Sequence, residues 1–300
     1  MASFVRRATL VVPFPSGGST AHTAGVLADA LEREYSTRVA LDYQVGDYGL
    51  KALRTLAHAA DEHVLMVGNI ITASMTPVIR RDRLDFDFNS AVIPVTKLGE
   101  FPSILMTNRS AQVSDVAGLL QSCAHRDGVL RYGSDFLGTF VDVDAIELGR
   151  RSALRVAFHE AGSANGVLAA LVAGRIDMAL LNVATATANR DQYKPLAVSG
   201  PRRLAGFPGL PTLAEAGYDG IGVMQWQGLF ASSRLRPELL AQLHHSVVRL
   251  MNAPAAREAL QAVDAAAVTS ASPLMFGAEI DAEMARWESM KVQILAVPRV

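Results

Sequence analysis

The sequence predicts an α/β protein in which strands and helices alternate along the chain. Short apolar runs recur between helical patterns from one end to the other, and several of these runs lead into loops rich in glycine or hydroxyl residues. Both features are typical of parallel α/β architecture. At 300 residues the chain is long enough for two domains of ordinary size or for one large α/β domain.

The composition excludes several classes of protein. Hydrophobic residues make up 50% of the chain and charged residues only 19%, which argues against intrinsic disorder. The net charge is −1 and no block of Lys or Arg occurs, which argues against a nucleic acid or an anionic membrane as the main partner. The single cysteine, Cys123, excludes an internal disulfide and a cysteine-based zinc site. We therefore expect no metal and no cofactor.

The mean hydropathy of +0.21 raises the question of a membrane span. The two most apolar stretches, 63–79 and 167–181, are interrupted by polar or charged residues such as Asn69 and Asp177. Neither reaches the ~20 apolar residues that a bilayer requires. The first residues contain no apolar segment with a cleavage site. We expect either a mature exported form with an artificial start at residues 1–3 or a cytosolic protein.

The first predicted strand, residues 9–13, ends in the turn Phe14-Pro15-Ser16-Gly17-Gly18, and Thr20 is the predicted N-cap of the helix that follows. Further strands are predicted at 39–43, 64–67, 91–95, 104–107, 130–134, 154–157, 178–181 and 196–199. Helices are predicted at 50–60, 113–125, from about 138, and at 167–173. After Gly200 a segment rich in proline and glycine predicts a connection. Two apolar stripes, around 240–250 and 276–287, predict C-terminal helices.

The sequence gives little support to an enzyme. It contains no nucleophile elbow, phosphate-binding loop or zinc-binding histidine pair, and its seven histidines are scattered. The dipeptide His159-Glu160 could act as a general base, but a solvated loop is the better explanation of it. We expect no catalytic residues.

Three loops after predicted strands suit an anion better. Residues 14–20 combine two glycines with Ser19 and Thr20, residues 134–139 end in Gly138 and Thr139, and residues 182–185 are polar. Helix N-termini at such loops present unpaired N–H groups and a positive dipole end. Ordinary turns with N-caps are the alternative for any one loop. Three such loops, almost without basic residues, together suggest a carboxylate held by backbone and hydroxyl donors.

Four segments resemble one family of binding proteins: VVPFPSGGST (11–20), FDFNSAVIPVTKLG (86–99), PLAVSGPRRLAGFPGLPTLAEAGY (195–218) and WQGLFA (226–231). On these residues the chain resembles the receptor family of tripartite tricarboxylate transporters, the Bug or TctC-like periplasmic substrate-binding proteins. The resemblance runs from about residue 10 to 290. It implies a two-domain periplasmic-binding-protein fold (type II, the Venus flytrap) with the ligand cleft between the domains. The domains would be 1–100 plus 223–300, and 101–222.

The resemblance also implies where a ligand would bind. The family's carboxylate loops, its polar loop and its tryptophan, together with our loop analysis, give the expected ligand-binding residues Phe14, Pro15, Gly17, Gly18, Ser19, Thr20, Ser134, Phe136, Gly138, Thr139, Asn182, Thr185 and Trp226. Phe14, Phe136 and Trp226 would supply apolar contact, although core packing explains Phe136 and Trp226 equally well.

Some positions depart from the family pattern. These are Ala21 and Gly25 in the first helix, Asp47 and Tyr48 in a loop that is usually rich in glycine, and Asp135, Phe136, Leu137, Phe140 and Val141 in the second carboxylate loop. They leave the identity of the acid open, including whether it is aliphatic or aromatic.

The function implied is a monomeric periplasmic receptor. It would bind a small organic carboxylate by domain closure and deliver it to the membrane permease subunits of a tripartite transporter. A ligand sensor of the same fold that signals to a partner protein is the alternative, and an enzyme using His159 and Glu160 is a third.

Overall fold

The structure, a computed structural model, describes residues 7–60 and 62–300, so the expected artificial start at residues 1–3 lies outside the described residues. The chain divides into two compact units: Met1–Glu100 with Trp226–Glu288, and Phe101–Gln225 with Ser289–Val300. Each unit contains one five-stranded sheet with helices around it, which confirms the predicted α/β class.

The first part of unit 1 alternates strands and helices. Its elements are β1 (Arg7–Val12), α1 (Ser19–Tyr35), β2 (Arg38–Tyr43), α2 (Leu50–Ala57), β3 (Val64–Asn69), α3 (Thr76–Ile79), α4 (Phe88–Ala91) and β4 (Val92–Phe101).

Unit 2 follows with the same alternation, and the chain then returns to unit 1. The elements of unit 2 are β5 (Ser103–Asn108), α5 (Val116–Arg126), β6 (Val129–Ser134), α6 (Phe140–Arg151), β7 (Arg155–Glu160), α7 (Ala164–Val172), β8 (Met178–Asn182), α8 (Val183–Ala188) and β9 (Tyr193–Val198). The last elements are β10 (Gln225–Ser232), α9 (Pro237–Met251), α10 (Pro254–Gln261) and α11 (Pro273–Leu295).

The sheet of unit 1 has the strand order β2-β1-β3-β10-β4. Strand β1 is parallel to β2 and β3, whereas β10 is antiparallel to β3 and places Gln227 opposite Asn69. The carboxyl ends of β1, β2 and β3 therefore share one edge of the sheet with the amino end of β10. Because β1 lies inside the sheet, Leu10, Val11 and Val12 have no exposed surface.

The sheet of unit 2 has the order β7-β6-β8-β5-β9. Strand β6 is parallel to β7 and β8, and the antiparallel strand β5 places Ser103 opposite Asn182. The loops after β6, β7 and β8 thus emerge at one edge. A core cluster of this unit includes Ile104, Leu171 and Ile176.

Two local predictions differ from the structure. Helix α1 begins at Ser19 with Gly18 as its N-cap, not with Thr20. Thr20 is already inside the helix, and its hydroxyl accepts a hydrogen bond from Asn69. Strand β10 was not predicted at all, because its residues are buried on both faces and so lack the alternation that marks a half-exposed strand.

The C-terminal residues also differ from the predicted domain division. We assigned residues 223–300 to the first domain, but residues 289–300 belong to unit 2. The last residues continue the sheet of unit 2 by a bridge between Phe158 and Arg299, with Phe158 N donating to Pro298 O at 2.8 Å.

Within the described ranges, no helix combines the length and the apolar character needed to cross a bilayer.

A close contact at the centre of the unit 1 sheet gives a testable consequence. A Cβ atom added at Gly228 would lie 2.6 Å from Cζ of Phe276, whose ring is fully buried and cannot move into solvent. We expect Gly228→Ala to lower the free energy of unfolding by about 1–3 kcal/mol through overpacking. Thermal unfolding followed by circular dichroism measures the change. The control is Gly209→Ala, since no atom lies within 4 Å of the added methyl group. Equal midpoints for the two variants would contradict the tight packing at Gly228.

Candidate functional site

The start of α1 presents backbone donors without partners. Among the described residues, the N–H groups of Gly17, Gly18, Ser19 and Ala21 make no hydrogen bond. Gly17 has a φ of +90°, which a residue with a side chain rarely adopts, and the helix has no acidic residue in its first turn. The loop itself carries no charged side chain. This end of the helix therefore combines open N–H donors with the positive end of the helix dipole.

Two amides from other strands hold this helix start in place. With its oxygen toward α1, the Gln227 amide accepts hydrogen bonds from Thr20 N at 3.2 Å and Ser19 Oγ at 3.0 Å, and it donates to Thr23 Oγ1. Asn69 donates to Thr20 Oγ1 at 3.3 Å, and its oxygen accepts from Thr72 N at 3.1 Å. Both amides are buried. They link β3 and β10 to α1 and fix the orientation of the open N–H groups.

The sequence did not reveal these two amides. Gln227 lies about two hundred residues from Ser19, so no local pattern connects them. Asn69 ends β3, two residues beyond the predicted strand, and only its position after an apolar run could have marked it.

Asp47 and Tyr48 lie in the loop after β2, where the backbone adopts a conformation that normally favours glycine. Four consecutive residues, 46–49, have positive φ values of 99°, 50°, 58° and 83°. Tyr48 is held beneath the guanidinium groups of Arg80, at 4.4 Å, and Arg83, at 5.3 Å. Asp47 forms ion pairs with Arg54 and Arg83. These contacts stabilise a backbone conformation that glycine would adopt without strain.

In unit 2, the predicted second carboxylate loop is filled by a carboxylate of the chain itself. Oδ2 of Asp142 accepts hydrogen bonds from Gly138 N at 2.9 Å and from Thr139 N at 2.5 Å, and Oδ1 accepts one from Tyr132 Oη at 2.6 Å. Asp142 is fully buried. Burial raises its pKa, and these hydrogen bonds oppose the rise.

This arrangement corrects our expectation for the loop. The N–H groups of Gly138 and Thr139 donate hydrogen bonds to Asp142, so they are not open donors for a ligand. The reason is a capping box, in which the third helical residue accepts from the N-cap residue. The spacing Thr139-x-x-Asp142 was visible in the sequence and could have predicted it. Ser134 is also engaged, because its hydroxyl donates to Phe136 O at 2.7 Å.

Other donors at the same edge of unit 2 stay open. The N–H groups of Phe140 and Val141, in the first turn of α6, have no hydrogen-bond partner among the described residues. Asn182 uses its oxygen to cap α8, accepting from Thr185 N at 2.9 Å. Within the same described part of the chain, neither the Asn182 NH₂ group nor the Thr185 hydroxyl has a partner.

Trp226 is a core residue of unit 1. Its side chain is only 3% exposed, and its ring packs against Phe276 at a centroid distance of 5.3 Å. The indole N–H donates to Glu283 Oε1 at 2.9 Å. This burial favours the core-packing alternative over ligand contact. Glu283 needs the donor, because it is half-buried on α11.

His159 and Glu160 are not arranged as a catalytic pair. They are neighbours on β7, so their side chains point to opposite faces. Each contacts the C-terminal segment, since His159 Nδ1 lies 3.2 Å from Val300 O and Glu160 pairs with Arg299 at 3.0 Å. Among the described residues, no group of His, Cys, Asp and Glu side chains is placed to hold a metal ion.

The filled loop of unit 2 yields one prediction. Asp142→Ala would leave the buried donors of Tyr132, Gly138 and Thr139 without an acceptor, at about 1–3 kcal/mol each. We expect a loss of unfolding free energy of about 3–5 kcal/mol. We also expect formate to restore part of it, because formate fits where the carboxylate was. Thermal unfolding in formate and in chloride at equal ionic strength measures this. Asp191→Ala, at an exposed position, is the control; equal formate effects on both variants would show that the loop does not receive carboxylates.

A second prediction concerns pH. Burial raises the pKa of Glu283 above its ordinary value of 4.5, with hydrogen bonds from Trp226 and Ser74 opposing the rise. When the pKa of a carboxyl group is higher in the folded than in the unfolded state, the group stabilises the fold fully at a pH below its unfolded-state pKa. This stabilisation is lost as the pH rises through the folded-state pKa. Glu283→Gln stays neutral, so its stability relative to wild type should increase from pH 4 to pH 7. Urea unfolding across this range measures the difference. A difference that is constant with pH would show that Glu283 has no raised pKa.

Comparisons with known proteins agree with this architecture. Among curated sequences, the chain is 25% identical to the UPF0065 protein in the tcbD-tcbE intergenic region of Pseudomonas sp. strain P51, over 96% of this chain and 86% of that protein. It is 24% identical to the protein BugT of Bordetella pertussis, over 93% and 86%.

Solved structures show the same fold. A protein of R. palustris solved with adipate matches with a TM-score of 0.84 and 24% identity over 98% of this chain and 99% of that one. MatC from Rhodopseudomonas palustris with bound malate matches with a TM-score of 0.81 and 25% identity over 96% and 99%. The periplasmic binding protein BugD matches with a TM-score of 0.81 and 18% identity over 98% and 99%. These likenesses confirm the predicted periplasmic-binding-protein fold.

The family model described as "Tripartite tricarboxylate transporter family receptor" matches residues 23–292, which is most of the chain. The sequence resemblance is thereby confirmed, and the chain is a substrate-binding receptor that belongs to the tripartite tricarboxylate transporter receptor family.

Proposed function

We propose that this receptor binds a small organic carboxylate through the open N–H groups at the start of α1. The observation that carries the proposal is the row of donors at Gly17, Gly18, Ser19 and Ala21, which no other described group uses. A carboxylate is the ligand chemistry that matches several converging N–H donors and a helix N-terminus.

Unit 2 also offers donors to a ligand. We propose Phe140 N, Val141 N, the Asn182 NH₂ group and the Thr185 hydroxyl as these donors, because none of them has a partner among the described residues. Closure of the two units on the ligand is the binding mode that the resemblance to flytrap receptors implies. The Gly138 and Thr139 N–H groups are excluded from the contact set, because Asp142 accepts their hydrogen bonds. Trp226 is excluded because its indole is buried.

The energy of such contacts is sufficient for useful affinity. Hydrogen bonds to a charged group contribute about 1.5–3 kcal/mol each, so four of them supply roughly 10 kcal/mol. Association costs at least ~4 kcal/mol. Micromolar binding corresponds to about −8 kcal/mol, so apolar contact must supply the rest. Phe14, which is half-buried in the loop after β1, is the proposed source of that contact.

The biological setting follows from the family. We propose a periplasmic location and delivery of the ligand to the permease subunits of a tripartite transporter. The structural neighbours with adipate and malate make aliphatic dicarboxylates reasonable first probes.

The proposal is tested at the first residue of α1. Ser19→Pro removes one open N–H, yet proline is well tolerated at this helix position, and the extended Gly18 (φ −83°, ψ 168°) suits a following proline. We expect Ser19→Pro to weaken carboxylate binding about 10- to 100-fold, since one charge-assisted hydrogen bond is lost. Isothermal titration calorimetry with the best binders from a thermal-shift panel of mono-, di- and tricarboxylates measures the loss.

The matched control is Ser19→Ala, which keeps the N–H and removes only the hydroxyl. Its affinity should stay closer to wild type, and the two variants should unfold at similar temperatures without ligand. If no carboxylate of the panel stabilises the wild-type protein, the proposed function is wrong. If Ser19→Pro and Ser19→Ala bind equally well, the backbone donor at position 19 is not part of the site.

A further inference from the structure

Three of the four sheet edges in the described part of the chain are covered by another backbone segment. Strand β4 is bridged to Ala266, β7 to Arg299 and β9 to Thr212. Each of these bridges is made by two backbone hydrogen bonds of 2.8–3.0 Å. The covering segments occupy the N–H and C=O groups that an edge strand otherwise exposes.

The fourth edge, strand β2 of unit 1, has no backbone neighbour on its outer side within residues 7–60 and 62–300. Its inner side is bound to β1, and the residue after it, Gln44, donates its N–H to Val12 O at 2.8 Å. Backbone groups alternate in direction along a strand, so the even-numbered residues of β2 face β1. The odd-numbered ones face outward.

These outward groups are almost unoccupied. Oε1 of Glu32 accepts a hydrogen bond from Val39 N at 2.8 Å. The C=O group of Val39 and both backbone groups of Leu41 and Tyr43 have no hydrogen-bond partner among the described residues. A row of unpaired backbone groups at a sheet edge is a template for a further strand.

The side chains of β2 are complementary to the same strand running in the opposite direction. Arg38 and Asp42 are both exposed and carry opposite charges, with Ala40 midway between them. Antiparallel pairing of two copies about a two-fold axis at Ala40 places Arg38 of each copy opposite Asp42 of the other. Among the described residues, Arg38 has no ion pair and Asp42 accepts only from Gln44. Opposite charges that face each other across two strands stabilise the pairing.

The backbone fits the same register. An axis at Ala40 pairs Val39 with Leu41 of the second copy, and both residues face outward. Such a pair exchanges two N–H···O hydrogen bonds, in which the Leu41 oxygen replaces Glu32 as the acceptor of Val39 N. The charged residues then lie at the non-hydrogen-bonded positions, where facing side chains are closest. An axis at Leu41 instead pairs Ala40 with Asp42 and loses both ion pairs.

An apolar recess beside this edge favours the same neighbour. It lies between the sheet, α1 and α9, and its walls include Leu31, Val39 and Leu243. Thr37 borders the recess, and its buried hydroxyl has no partner in the described part of the chain. In the two-fold register, Tyr43 of the second copy lies opposite Thr37. Because the Tyr43 side chain is 39% exposed in the single chain, pairing removes an exposed aromatic ring from water.

We propose that β2 is the interface of a two-fold dimer of this protein, in which the two unit 1 sheets join edge to edge into one continuous sheet. The same strand contributes from both copies, as closed two-fold symmetry requires. The monomer that the family resemblance implied is then the dilute form. The dimer does not depend on the proposed function, because the N–H groups at the start of α1 take no part in it.

Charge variants test the register directly. Arg38→Asp places two acidic groups opposite each other and Asp42→Arg two basic groups, so each variant should dimerise about 10- to 100-fold more weakly than wild type. The double variant Arg38→Asp/Asp42→Arg exchanges the charges and should recover the wild-type affinity. An equimolar mixture of the two single variants should form a heterodimer, because an acidic strand then faces a basic one.

Sedimentation velocity at protein concentrations up to about 1 mM measures the dissociation constants. The control Arg81→Asp makes the same charge change at an exposed position of unit 1 outside β2, and it should dimerise as wild type does. Since all the replaced side chains are exposed, every variant should unfold at a temperature close to that of wild type. Hydrogen exchange of the Leu41 N–H in wild type should slow as the protein concentration rises.

A wild-type protein that stays monomeric at about 1 mM would overturn the inference. A dimer that both single variants form as well as wild type would overturn it too, as would one that the double variant fails to restore. Exchange of the Leu41 N–H at the same rate in dimer and monomer would show that the strands do not pair. None of these outcomes bears on carboxylate binding at α1, which Ser19→Pro tests separately.

Discussion

The backbone N–H groups at helix N-termini dominate the chemistry of this receptor, because each of them needs an acceptor that the helix itself does not provide. The two units meet this need differently. At α6 the chain supplies its own carboxylate, Asp142, from the first turn of the helix. At α1 the neutral amide of Gln227 accepts from one backbone N–H group, that of Thr20, and from the Ser19 hydroxyl, and the neighbouring N–H groups stay open. The chain thus binds the N–H groups of Gly138 and Thr139 before α6, whereas those of Gly17, Gly18, Ser19 and Ala21 at α1 have no partner among the described residues.

The buried acidic groups follow the same requirement. Asp142 and Glu283 are tolerated below the surface because O–H and N–H donors surround their oxygens. Asp135 has no such donors, and it lies at the edge of unit 2 where ligand contacts are proposed. The difference between Asp135 and these paired carboxylates matters because only 19% of the residues in the chain are charged.

The loop after β2 shows how a departure from a family pattern is absorbed. Asp47 and Tyr48 both adopt left-handed backbone conformations between two glycines that do the same. Arg80 and Arg83, which lie over the Tyr48 ring, and the ion pairs of Asp47 hold that conformation. Gly49 closes the loop against Thr72, where an added Cβ would lie 2.9 Å from the Thr72 methyl. The strained loop therefore packs on the residue whose N–H is bound by Asn69.

Sequence patterns were sufficient where the cause of structure is local. The alternation of apolar runs with helical segments predicted the α/β class, and the glycines at 17 and 18 marked the turn before α1, whose N-cap lies two residues before the predicted Thr20. Strand β10 escaped because its burial on both faces removes the alternating pattern, and it follows a stretch rich in proline and glycine. The N–H groups of Gly138 and Thr139, which we expected to be free donors, instead donate to Asp142 through the capping box of α6.

By itself the sequence determined the fold class, the family and the approximate positions of the loops that connect strands to helices. The reason is that hydrophobic periodicity and turn residues act over a few neighbouring positions. Only the tertiary structure decided which N–H groups remain open and which carboxylates are paired. At α1 the acceptor is Gln227, which β10 brings next to a helix start far away in the sequence. In unit 2, only the spatial neighbours of Asp135 reveal that no described group pairs with its carboxylate. Hydrogen-bond occupancy is a property of neighbours in space, and no one-dimensional pattern records it.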